Sequence, residues 1–420
     1  MQLNNNSNLQ PAKGNLQVQV FATDVGKPAN NVTVRITRTQ NRQAIVEEMI
    51  TNDSGKTPTV ELSAPPIEYS LEPNGDRKPY SEYDVNITKE GYQPVDIEGV
   101  QILALTKALQ NIRLDPIIQP DERVENFIIK PHTLWGNFPP KIEEEPVKPL
   151  PESLGLVVLP NPVVPEFIVV HDGVPSDSKA KNYWIPFKDY IKNVASCEIY
   201  STWPRPTIEA NILAIISFTL NRVYTEWYRG KGYNFTITNS TAYDQSFVLN
   251  RNIYENISEV VDYLFTTFIT KPGIRQPLFA QYCDGERVRC PKWLEQWGSK
   301  SLGDQGLSSI DILKRYYGQD IFLLEATKVS GVPVSFPGSL IQTGSTGPNV
   351  RTIQEQLNAI SNNFPAIPKI RVDGIFGPLT RNSVETFQNV FNLPSTGIVD
   401  FATWYKISNI FVSVERLSEL

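Results

Sequence analysis

The stretch 196-SCEIYSTWPRPTIEANILAIISFTLNRVY-224 places a carboxylate, Glu198, just ahead of one of the most apolar segments of the chain. Ile208, Ile212, Ile215, Ile216, Leu220, Val223 and Trp227 recur at helical spacing, and the opposite face is almost as apolar, which predicts a buried helix. Trp203, Pro204 and Pro206 form a helix-start signal and hold the preceding loop extended. Glu198 is then either a solvated loop residue or an acid kept against a dry wall for proton transfer.

Working outward, 420 residues exceed one ordinary core and predict two or three domains. The chain is 40% hydrophobic and 20% charged, the balance of a globular protein, and no run of apolar residues is long enough to predict a membrane span. A formal charge of -6 argues against a nucleic-acid partner, which would require a concentrated basic face. The first residues, MQLNNNSNLQPAKGNLQ, lack the basic start and apolar middle of a secretory signal, so no classical signal-peptide export is expected, and residues 1–13 read as flexible.

Three cysteines cannot build a disulfide framework. The two histidines, His132 and His171, supply zinc chemistry poorly, and neither a metal nor another cofactor is expected. Cys283 and Cys290 read as a short disulfide or half of a metal site. Cys197 beside Glu198 suggests a cysteine peptidase, but no histidine follows it to act as base.

Residues 14–114 alternate in the manner of short strands separated by turn clusters such as TNDSGK and EPNGDRKPY, predicting an all-β sandwich. The order resembles prealbumin-like or carboxypeptidase-regulatory-like sandwiches. Residues 115–175 are rich in proline and carry the acidic run KIEEEPVKPLPE, the composition of an extended, solvated linker open to proteolysis. Residues 176–329 read as an α+β domain and residues 337–412 as a small helical unit.

That last unit, GSTGPNVRTIQEQLNAI through VDGIFGPLTRNSVETFQNVFNLPSTGIVDFATWYKI, resembles the peptidoglycan-binding domain of bacterial wall hydrolases. The resemblance rests on Gly344, Gly347, Val350, Ile353, Gln354 and Leu357, on the turn Asp373, Gly374, Phe376, Gly377 and Thr380, and on Phe387, Gln388, Gly397 and Trp404. The turn chemistry predicts that Asp373 caps its own turn and that Thr380 starts the next helix, while Phe387 and Trp404 read as core.

The opening stretch, with TAYDQSFVLN and CPKWLEQWGSKSLGDQGLSSIDILKRYYG, resembles the stage-two sporulation protein D family of lytic transglycosylases over most of residues 183 to 318. The resemblance implies Glu198 as catalytic acid in a short loop, with Glu209 as the competing acid. It implies Tyr243, Asp244, Gln245 and Gln296 as substrate-orienting groups. It also implies the reaction: one carboxyl protonates the glycosidic oxygen between N-acetylmuramic acid and N-acetylglucosamine, then takes the proton of the sugar's own C6 hydroxyl.

The whole order of domains resembles spore cortex-lytic enzyme precursors. That resemblance implies a zymogen held at or near the spore cortex, a peptidoglycan partner, and activation during germination by a subtilisin-like protease cutting between about Asp115 and Pro165. A peptidoglycan amidase or endopeptidase, or a non-catalytic wall-binding protein, are the alternatives.

Overall fold

The computed structural model describes residues 11–23, 27–73, 75–117, 124–149, 161–326, 328–331 and 336–418. The amino-terminal part is built from β1 (Ala12–Ala22), β2 (Lys27–Pro28), β3 (Thr33–Arg38), β4 (Asn41–Ile50), β5 (Val60–Ala64), β6 (Ser81–Thr88), β7 (Val95–Ile102), β8 (Lys107–Leu114) and β9 (Glu125–Ile128). One sheet has β1 at its centre, parallel to β8 on one side and antiparallel to β2 and β5 on the other. The second runs β4-β3-β6-β7-β9. Alternate residues of β1 (Leu16, Val18, Val20) are fully buried in one core with Val34, Ile36, Val85 and Ile97. Period-two burial is the strand signal read from the sequence, and each such side chain contributes about 1.5–3 kcal/mol.

The segment 115–175 departs from its reading as a solvated linker. Glu125–Ile128 is strand β9, added parallel to β7. Residues 129–149 then run across the middle domain with His132, Leu134 and Lys148 buried. β10 (Val163–Val164) pairs in parallel with Lys328–Val329, and β11 (Phe167–His171) already belongs to the middle domain. Proline presets an extended backbone, but it does not decide whether water or a protein groove satisfies that backbone. Residues 118–123 and 150–160, which hold much of the expected cleavage window, lie outside the described residues, as do residues 1–10 of the expected flexible start, while β1 begins at Ala12.

In the middle domain β11 sits between β12 (Asn182–Pro186) and β13 (Ile237–Thr238). The two-residue strand β14 (Ile253–Tyr254) crosses over to extend the first sandwich sheet at β8, so the β sandwich and middle domain share a sheet. Helices α1 (Phe187–Glu198), α3 (Glu255–Leu264), α4 (Gln296–Asp304) and α5 (Ser309–Tyr317) surround α2 (Arg205–Tyr224). The expected buried helix is α2: Ile212, Ala214, Ile216 and Phe218 are inaccessible to solvent. It starts after Pro204 with Pro206 in its first turn and ends at Tyr224, so Trp227 lies in the following turn. Ser217 and Thr219 remain tolerable inside it because their hydroxyls donate to the carbonyls of Leu213 and Ile215, at 2.6 and 2.8 Å. Gly303 lets α4 come close, since a Cβ there would lie 2.0 Å from the Thr207 hydroxyl.

The carboxy-terminal unit comprises α6 (Pro348–Asn363), α7 (Pro378–Val390) and α8 (Phe401–Ser418). Its two glycine turns are held alike. Gln354 Oε1 accepts from the amides of Asp373 and Gly374 at 3.1 and 2.8 Å, and Gln388 Oε1 from those of Thr396 and Gly397 at 2.9 Å each. Gly374 and Gly397 take positive φ of 76° and 69°, a region that favours glycine. Asp373 caps its turn by accepting from Ile375 N–H at 2.9 Å. Thr380 instead lies inside α7, which starts at Pro378, and its hydroxyl accepts from Gln354. Phe387 and Trp404 are core. The sandwich grips this unit: Lys56 donates to the Asn389 carbonyl and to Asn392 Oδ1, both at 2.6 Å.

Candidate active site around Glu198

Glu198 is not in a loop. It is the last residue of α1, and the extended backbone of Ile199 ends the helix there. A helix carboxyl end is an unfavourable place for a carboxylate, and this one is only 4% exposed. Two donors from two segments offset that cost. The Ser246 amide donates to Oε1 at 2.9 Å and Gln296 Nε2 to Oε2 at 3.3 Å, while the Thr133 hydroxyl, whose proton goes to the Cys197 carbonyl, lies 3.2 Å from Oε2. Gln296, the first residue of α4, also donates to the Glu198 carbonyl at 2.8 Å, fastening the end of α1 to the start of α4.

Glu198 lines a cavity of about 60 Å³ with Thr133, Phe138, Lys141, Tyr282 and Gln296 among its neighbours. Burial and then the Glu198 charge hold the Tyr282 phenol well above its ordinary pKa, so it stays protonated. Burial lowers the Lys141 pKa, which the charges of Glu198 and Asp244 partly oppose. The Lys141 ammonium lies 4.6 Å from the Tyr282 ring centroid and donates to the Asp244 carbonyl. Cys283, which also lines the cavity, forms a disulfide with Cys290. Among the described residues no group of histidine, cysteine, aspartate or glutamate is placed to hold a metal ion.

The other residues singled out in the sequence separate into two groups. Gln296 joins Glu198 at the cavity, whereas Tyr243, Asp244, Gln245 and Glu209 do not line it. Asp244 is fully buried and its oxygens are occupied: Arg222 Nε at 2.8 Å on one, and the Tyr228 hydroxyl, the Thr238 hydroxyl and the Thr238 amide at 2.7, 2.7 and 2.9 Å on the other. Gln245 Oε1 accepts from the Tyr190 hydroxyl at 3.1 Å and lies 2.9 Å from the Thr219 hydroxyl oxygen, while Nε2 donates to the Ile215 carbonyl at 3.3 Å. Both position the Ser246 amide by fixing their own segment, and neither has a free group to offer a substrate. Tyr243 is half-buried and contributes its carbonyl to Arg222. Glu209 pairs with Arg205 one turn earlier at 2.9 Å, on the outside of α2.

Thr133, Lys141 and Tyr282 are unforeseen members of the cavity, and Ser246 is an unforeseen partner of Glu198 behind it. Ser246 acts through its backbone, which leaves no compositional trace. Thr133 and Lys141 come from the proline-rich segment, so only its docking makes them part of the site. Cys197 is buried, with its thiol toward Asn193 Oδ1 at 3.6 Å and its pKa raised by burial. His132 does reach this neighbourhood. Its ring nitrogens are engaged elsewhere, with Nε2 3.2 Å from the Ile199 carbonyl and Nδ1 accepting from the Leu134 amide at 3.2 Å. No thiolate and base pair is formed.

Residues 346–407 match the family model described as "Putative peptidoglycan binding domain". The carboxy-terminal unit is therefore a peptidoglycan-binding module, and it marks the chain as cell-wall-related. No curated protein matches the chain. Among solved structures, a minor pilin of Streptococcus agalactiae is 16% identical with a TM-score of 0.19, covering 26% of this chain and 48% of the pilin. The chain thus spans about half the length of that pilin. The 5-hydroxyisourate hydrolase of Klebsiella pneumoniae is 13% identical with a TM-score of 0.17, covering 24% of this chain and 90% of that enzyme. Catechol 1,2-dioxygenase of Pseudomonas arvilla is 15% identical with a TM-score of 0.19, covering 28% and 56%. These likenesses carry no inference about activity. Among the described residues, no helix is long and apolar enough to cross a membrane.

Proposed function

We propose that this chain is a peptidoglycan lytic transglycosylase made as a zymogen, acting on spore cortex during germination with Glu198 as its single acid and base. The observation that carries the reading is the burial of Glu198 at a cavity, with both carboxyl oxygens addressed by donors, in a chain that also carries a peptidoglycan-binding module. A buried carboxyl held in one orientation suits proton transfer to a glycosidic oxygen and, once ionised, removal of the C6 hydroxyl proton. Among the described residues the one other carboxylate lining the cavity is Asp284, whose Oδ1 is taken by the amides of Glu286, Arg287 and Val288 at 3.1, 3.1 and 2.8 Å and whose Oδ2 lies 3.7 Å from Arg287 Nε. That favours the one-carboxyl route over ordinary glycoside hydrolysis, which needs a pair.

The zymogen reading follows from volume. A sugar-binding cleft needs several hundred Å³, whereas about 60 Å³ is open beside Glu198. Thr133, Phe138, Pro139 and Lys141 of residues 129–149 line this space, and departure of that segment would widen it for a glycan. A protease cut between this strap and the middle domain is the step that would release it. Product analysis tests the reading: 1,6-anhydromuramic ends from digested cortex peptidoglycan support it, while free stem peptides would indicate an amidase or endopeptidase.

A further inference from the structure

Residues 142–148 lie along the middle domain, with a bend at Pro146 and Val147. The groove beneath them meets their backbone at every second residue. The Ile142 amide donates to the Ala242 carbonyl and its own carbonyl accepts from Gln281 Nε2, both at 2.7 Å. The Glu144 amide donates to Gln281 Oε1 at 2.9 Å, and the Pro146 carbonyl accepts from the Phe279 amide at 2.9 Å. Gln276 then takes both main-chain groups of Lys148, each at 2.9 Å. The alternation is like that of a peptide bound beside a strand, with side-chain carboxamides standing in for a neighbouring strand, and it resumes at Lys148 after the bend.

Between the two glutamines the groove recognises charge. Glu144 forms a two-pronged ion pair with Arg222, at 2.6 Å to Nη2 and 3.1 Å to Nη1. Arg222 is buried and its Nε is already held by Asp244. Its Nη groups are therefore fixed in place, and among the described residues only the strap supplies their carboxylate. Burial pushes the Glu144 carboxyl up, but Arg222, with Lys148, more than reverses this and leaves it below its ordinary pKa. Gln276, Gln281 and Arg222 all belong to the middle domain, so they remain as a preformed set of amide and carboxylate partners when the strap departs.

We propose that this groove is a binding site for an extended acidic peptide: the uncut chain fills it with its own residues 142–148, and the released form takes the acidic stem peptide of peptidoglycan there. The ligand's carboxylate sits on Arg222 and its amides on Gln281 and Gln276. Naming the stem peptide rests on the cell-wall reading above, whereas the acidic-peptide chemistry rests on the groove alone.

The test is hydrogen exchange on the full chain at the amides of Ile142, Glu144 and Lys148, with and without the tripeptide L-Ala-γ-D-Glu-diaminopimelate. The tripeptide should compete with the strap and speed exchange at these three amides, and in a Glu144→Gln chain it should do so at roughly tenfold lower concentration. No acceleration in either chain would overturn the proposal. So would acceleration by neutral tetra-N-acetylchitotetraose but not by the tripeptide, which would make the groove a glycan site. Tripeptide competition without any glycan cleavage by the released enzyme would keep the groove and remove the transglycosylase reading. Cleavage without competition would do the reverse.

Discussion

The Thr133 hydroxyl oxygen lies 3.2 Å from a carboxyl oxygen of Glu198, bringing a segment upstream of the middle domain against the proposed catalytic acid. The same residue donates its amide and hydroxyl to the Cys197 carbonyl, at 3.1 and 2.9 Å. The amino-terminal third thus reaches the site through its strap rather than through the sandwich, none of whose residues lines the Glu198 cavity.

A cut between residues 149 and 161 turns the strap from an intramolecular occupant into a separate one, which loses an effective concentration in the millimolar range. The cut protein should therefore gain specific activity on dilution, while the uncut chain stays inactive at every concentration. Turbidity loss of cortex fragments at several enzyme concentrations measures both.

Gln296 ties Glu198 down by its carbonyl and its carboxyl together. Gln296→Ala should lower kcat of the released enzyme by about 10- to 100-fold with a smaller change in KM, because orientation of the acid is lost and substrate contacts are not. A change in KM alone would assign Gln296 to binding.

How much of this site could be read from the chain depends on which residues act through side chains in regular elements. The helix α2 was legible from its isoleucine spacing, and Glu198 and Gln296 from resemblance to a transglycosylase family, and these two do meet at the cavity. Asp244 and Gln245 carry the same resemblance yet serve Arg222, Tyr228 and Thr219, since a motif shows which polar residues occur and not which of them are already hydrogen-bonded. The strap misled for a related reason. Proline and glutamate content predicts an extended chain, but whether Glu144 meets water or Arg222 depends on residues about eighty positions away.

Glu209 gives the contrasting case. Its exposed pair with Arg205 is of a kind worth about 0.3–0.5 kcal/mol, so Glu209→Gln should leave melting nearly unchanged and activity within about twofold. A large loss of activity would restore it as the acid.

His132 makes strap docking pH-dependent. Burial, then the charges of Arg251 and Arg287, hold its pKa well below 6.5, despite the contact with the Ile199 carbonyl. A released or unfolded His132 regains its ordinary value and binds a proton that the docked form does not. Docking is therefore undiminished above about pH 6.5 and weakens as pH falls below it, by up to about 1.4 kcal/mol per pH unit. Exchange at the strap amides of the full chain should rise between pH 7 and 5 after correction for intrinsic rates, and His132→Gln should flatten that rise.

The most direct measurement compares the cut, strap-released protein with its Glu198→Gln counterpart on cortex peptidoglycan, scoring anhydromuramic ends by mass spectrometry. The released protein should generate them and Glu198→Gln should fall by at least about a thousandfold while still folding and binding the wall. Equal yields from the two proteins, or no such ends from either, would contradict the assignment of Glu198 as the acid of a lytic transglycosylase.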